Sequence, residues 1–70
     1  MEILIFKTSI EKPIEIKMVK PFFSKIKAIK DWSFDLEDCD KILRIVADDL
    51  SPRLIETLLI AQGFNCKELE

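Results

Sequence analysis

Four of the 13 acids in this 70-residue chain, Asp35, Glu37, Asp38 and Asp40, gather with Cys39 around one predicted turn, and Cys66 supplies the second of its two thiols. Thiolates are nucleophiles and soft metal donors, whereas clustered carboxylates suit hard cations. Histidine is absent, which removes the commonest general base and metal ligand at neutral pH. The acid cluster has neither the internal glycine nor the regular ligand spacing of a calcium loop, so it reads as a solvated turn. With a single glycine in the chain, no glycine-rich phosphate cradle can be built. Arg44 and Arg53 fall in a predicted strand and at a predicted helix start, where surface salt bridging accounts for them. These residues form no catalytic constellation, and a non-catalytic domain without a cofactor is expected.

Alternation and punctuation locate the elements that carry these residues. Glu2 to Lys7 is aliphatic on both alternating faces, Ile3 and Ile5 on one and Leu4 and Phe6 on the other, as in a central strand. Pro13 suits the first turn of a helix, and Ile16, Val19, Phe23 and Ile26 recur at helical spacing opposite Lys17, Lys20, Lys25 and Lys27. Pro21 inside that pattern predicts a kink or bulge. Asp31 to Glu37 alternates Trp32, Phe34 and Leu36 with polar residues, and Ile42 to Ala47 resumes a strand after the turn at Asp38, Cys39 and Asp40. Ser51 as N-cap, Pro52 in the first helical position and Gly63 as the stop bound a second helix, with Leu54, Ile55, Leu58 and Leu59 as its buried stripe. Phe64 to Leu69 reads as a short edge strand in which Cys66 is a buried, small apolar residue. Strand, helix, strand, strand, helix, strand is the α+β, ferredoxin-like βαββαβ arrangement: a four-stranded antiparallel sheet, order 4-1-3-2, with both helices on one face. Residues 1–70 make one such domain.

Composition narrows the class further. Hydrophobic residues at 49% and charged residues at 34% describe a globular chain that can fold without metal or disulfide staples. The longest apolar runs, Ile3 to Phe6 and Leu58 to Ala61, fall far short of the roughly 20 residues of a membrane helix. An acid directly after Met1 and no basic leader point away from a signal peptide, so the expected location is cytoplasmic. Before Asp31 there are seven lysines against three acids, and from Asp31 onward ten acids against four bases. That asymmetry reads as solvated charge or as a steering dipole. No unbroken basic run or interleaved aromatic pattern supports nucleic-acid binding.

Two segments, Trp32-Ser33-Phe34-Asp35-Leu36-Glu37 and Leu50-Ser51-Pro52 through Ala61-Gln62-Gly63-Phe64, resemble the second strand and second helix of heavy-metal-associated domains, the family of copper chaperones and copper-transporting ATPases. The likeness runs over nearly the whole chain. That family holds Cu(I) on a Met-x-Cys-x-x-Cys loop after its first strand, where two thiolates reach one soft ion. Here the corresponding stretch, Phe6-Lys7-Thr8-Ser9-Ile10-Glu11-Lys12-Pro13, contains no cysteine, methionine or histidine. The resemblance therefore implies a degenerate member without metal ligands. In the family's topology Cys39 lies on the turn between strands two and three and Cys66 on the far edge strand. That places these free thiols on the order of 10 Å or more apart, too far for a disulfide or a shared metal. Adjacent Asp38 and Asp40 disfavour a reactive thiolate at Cys39.

The expected function is a protein-interaction or self-association module; the alternative is atypical metal binding or trafficking through Cys39 or a partner's thiol. Whichever pair of the first strand faces the helices, the other apolar pair is left outside beside Ile42 and Val46, either as a patch for a protein partner or a homodimer or covered by long side chains such as Arg44. By position, the family's docking end corresponds to Thr8, Ser9, Ile10, Lys17, Lys20 and Phe64. An enzyme or small-ligand sensor on this architecture is a third class; acylphosphatases share it, but their anion-holding loop with an arginine is not visible here.

Overall fold

In the computed structural model, which describes residues 1–35, 37 and 41–69, the chain runs β1 (Glu2–Thr8), α1 (Pro13–Ser24), β2 (Ile29–Asp35), β3 (Ile42–Ala47), α2 (Pro52–Ala61), β4 (Cys66–Leu69). The strands form one sheet in the order β2-β3-β1-β4, with every neighbouring pair antiparallel. Counted from the other edge this is the predicted 4-1-3-2 order. Leu4 and Phe6 of β1 and Leu43, Ile45 and Ala47 of β3 share a single buried cluster with Val19 and Phe23 of α1 and Ile55 and Leu59 of α2. Both helices therefore cover the same face of the sheet, as a ferredoxin-like α+β fold requires.

Local signals explain where the helices begin and end. Pro13 occupies the start of α1, and the Glu15 carboxylate accepts the otherwise orphaned N–H groups of Glu11 (2.9 Å) and Lys12 (3.0 Å). The α-helical run continues through Pro21 to Ser24 without the expected bulge. Pro21 and Lys17, whose carbonyl loses its helical partner, both lie on the exposed side, where water can take the place of that bond. Ile26, expected in the helical stripe, sits beyond the helix in a turn closed by its N–H to the Phe23 carbonyl (3.1 Å). Ser51 holds the N-cap position of α2 before Pro52, but its hydroxyl makes no cap bond.

The C-terminus of α2 closes on Gly63 with φ +92°, where Gly63 N–H reaches Ile60 (3.0 Å) and Phe64 N–H reaches Leu59 (3.0 Å), the two bonds of a Schellman motif. An added Cβ at Gly63 meets no atom within 4 Å, so only backbone strain opposes substitution. Gly63→Ala is expected to cost about 1–2 kcal/mol, read as a lower urea midpoint at unchanged slope.

Several boundaries differ from the sequence reading. Strand β2 starts at Ile29 rather than Asp31, because a register shift between Ile29 and Asp31 lets the earlier residue pair with Ala47 across an irregularity that the alternation hides. Strand β4 starts at Cys66, leaving Phe64 in the turn after α2. Leu54, which spacing places in the buried stripe of α2, is 47% exposed, since the buried arc centres on Ile55 and Leu59. Cys39, with Leu36, Asp38 and Asp40, lies outside the described residues, so the expectations for that turn are neither met nor overturned.

Candidate functional site

The loop after β1, where the family likeness directs attention, is engaged in holding the fold together. Thr8 is buried; its hydroxyl donates to the Lys41 carbonyl (2.9 Å) and accepts the Ile10 N–H (3.3 Å). Ser9 N–H donates to the Asn65 carbonyl (3.2 Å), and the Ser9 hydroxyl accepts the Asn65 N–H (2.9 Å), which ties the loop to the start of β4. Ile10 is fully buried and Phe64 nearly so. Of the six docking-end candidates, then, Thr8, Ile10 and Phe64 are core, while Ser9, Lys17 and Lys20 are exposed. Ile10 was missed as a core residue because it sits in a polar stretch outside any periodic element.

A shallow depression of about 290 Å³ lies beside this loop, between Ser9, Ile60 and the start of β4, with Cys66 in its wall. Register pairs Cys66 with Thr8, on the helix side of the sheet, and the residue is buried as its alternation implies. Burial, and secondarily the Glu56 carboxylate, push its thiol up from 9.0 to about 12. The Glu56 side chain is held in place by the Glu68 N–H (2.8 Å). At neutral pH Cys66 is therefore a protonated, poorly nucleophilic thiol and a weak soft-metal ligand. Among the described residues, no group of three or more histidine, cysteine or acidic side chains is placed to hold a metal ion.

The opposite face of the sheet is different in kind. Leu4 and Phe6 point to the helices, so Ile3 and Ile5 point away from them, and the register sets Ile3 beside Val46, Ile5 beside Arg44 and Lys7 beside Ile42. On one flank β2 adds Asp31, Ser33 and Asp35 to this face; on the other β4 adds Lys67 and Leu69, with Leu69 paired to Ile5. Ile3 is 63% exposed and Leu69 37%, while Ile5, Ile42 and Val46 are half-buried among their neighbours. Arg44 stands in the middle of the band and leaves Ile3 largely uncovered. The result is an apolar strip bordered by the Asp31 and Asp35 carboxylates along one edge and by the Lys67 ammonium on the other. Leu69 was not anticipated as a member, although its two-residue offset from Lys67 on β4 carries the signal.

Helix surfaces add further exposed apolar residues, Ile14 and Met18 on α1 and Ile60 on α2. No helix among the described residues is long and apolar enough to cross a membrane. Comparison of the chain with protein-family models, with curated proteins and with solved structures returned no match.

Proposed function

We propose that this chain is a non-catalytic, cytoplasmic protein-interaction module that docks through its open sheet face, on a scaffold resembling the heavy-metal-associated domains but working without their metal. The observation that carries the reading is the contiguous strip of Ile3, Ile5, Val46 and Leu69 on a sheet face that, among the described residues, no helix or loop covers. Exposed apolar surface of this kind costs solubility and is characteristic of a binding site. The loop chemistry agrees with it: Thr8 and Ser9 spend their hydroxyls on backbone groups, and Cys66 is held protonated.

Two measurements test this function. A photo-crosslinking side chain placed at exposed Ser33, on the β2 flank of the open face, is expected to give a discrete protein adduct in cells. The same side chain at exposed Thr57 on α2 should give none, and equal labelling from both sites would remove the reading. Titration with Cu(I) or Zn(II) against a competing chelator should leave the amide resonances of residues 8–12 and of Cys39 unmoved. Saturable shifts there would establish metal handling instead.

A further inference from the structure

Resting on the interaction-module reading, we infer that the open face recognises a second copy of this chain, with the two sheets stacked about a two-fold axis that lies in the interface parallel to the strands. The charges on the face choose both the partner and the axis. In the β2-β3-β1-β4 order, the acids Asp31 and Asp35 lie on the β2 flank and the base Lys67 on the β4 flank. Asp35 and Lys67 stand at the same level of the sheet, since Asp35 pairs with Ile42, Ile42 with Lys7, and Lys7 with Lys67. A dyad parallel to the strands exchanges the flanks without exchanging the levels, and so sets Asp35 of each copy against the partner's Lys67. A dyad perpendicular to the strands would instead set Asp35 against the partner's Asp31, two carboxylates. Among the described residues no ion pair engages Asp35, Arg44 or Lys67 within one copy.

The apolar strip obeys the same symmetry. Under the parallel dyad, Ile3 of each copy meets the partner's Val46, and Ile5 meets the aliphatic stem of the partner's Arg44, whose guanidinium can extend toward the rim. Every contact is thereby made twice, as an isologous interface demands. Four strands about 4.8 Å apart and about six residues of about 3.3 Å each present roughly 400 Å² per copy in projection. Side-chain relief brings the surface buried by both copies to roughly 1,000 Å², the lower end of specific interfaces, so the dimer is small and reversible. The usual twist of about 30° between stacked sheets offsets the opposed flanks by roughly 5 Å, a gap the long Lys67 side chain spans.

Sedimentation equilibrium of the whole chain across the micromolar range is the test, with far-UV circular dichroism confirming that each variant is folded; all the positions changed are exposed. The wild type should show a monomer–dimer equilibrium, and Ile3→Asp should abolish it. Asp35→Lys and Lys67→Glu should each weaken association about tenfold, since each change is made at two symmetric sites. Combining Asp35→Lys with Lys67→Glu should restore association. A wild-type monomer at every concentration, a dimer indifferent to Ile3→Asp, or a double variant no tighter than the singles would overturn the inference. The Ser33 adduct separates the two failures: a monomeric wild type that still crosslinks to a different protein loses the self-recognition but retains the docking face.

Discussion

Phe23→Ala is expected to remove about 3–5 kcal/mol of stability, at or near the whole of what holds this domain folded. Phe23 is 1% exposed and lies where α1 meets β2. Its ring sits edge-on to Trp32 with centroids 5.3 Å apart and stacks on Phe34 at 6.4 Å, while Trp32 and Phe34 meet at 5.8 Å. Trp32 and Phe34 are themselves only half-buried, so without Phe23 both rings lose their cover and the cavity opens to water. A 70-residue domain at ~0.05–0.15 kcal/mol per residue has roughly 4–10 kcal/mol in total. Urea denaturation followed by far-UV circular dichroism and by Trp32 fluorescence should show a collapsed or missing transition. Met18→Ala, at a half-exposed position on the same helix, should change stability by less than about 0.5 kcal/mol. Equal effects from the two variants would show that the aromatic cluster does not anchor α1.

Raising the pH from about 9 to about 12 is expected to destabilise the protein through Cys66. The folded state holds this thiol protonated while the unfolded chain releases the proton near 9.0, so above that pH the native state binds more protons than the unfolded one. The contribution is fully present below the unfolded value and is lost as pH rises through the folded value, by up to about 1.4 kcal/mol per pH unit. Lysines titrate in the same range, so the informative quantity is the difference between the wild type and Cys66→Ala. That difference should be flat below pH 9 and should fall steadily above it. A thiol reagent at neutral pH should likewise modify Cys66 far more slowly in the folded than in the unfolded protein. Parallel stability curves for the two proteins up to pH 11, or rapid labelling of the native thiol, would mean that Cys66 is solvated rather than buried.

Much of the architecture was legible in short stretches because the relevant physics is local. Pro13 and Pro52 suit the first turn of a helix, Gly63 supplies the positive φ that ends α2, and alternation around Ile42–Ala47 marks a strand. The burial of Cys66 followed from its two-residue offset from Phe64. The boundaries that moved depend on pairing with distant residues: Ile29 joins β2 because Ala47 offers it a partner across the irregularity at Lys30, a contact with no counterpart in propensity. Leu54 depended on the rotation of α2 about its axis, set by what lies beneath the helix rather than by its own apolar spacing.

The candidate site divides the same way. Exposed Lys17 and Lys20 and the sulfur-free loop could be read from the chain, whereas the structural employment of Thr8, Ser9 and Phe64 could not, because their partners Lys41, Asn65 and Leu59 come from other segments or from the helix end. By itself the sequence determined the order of elements, their periodicity and the absence of a thiol pair after β1. Only the tertiary structure decided which aliphatic pair of β1 would face water. A strand that is apolar on both sides carries no direction of its own, and the choice falls to the register that sets Thr8 inward against Cys66 and leaves Ile3 and Ile5 beside Val46, Arg44 and Leu69.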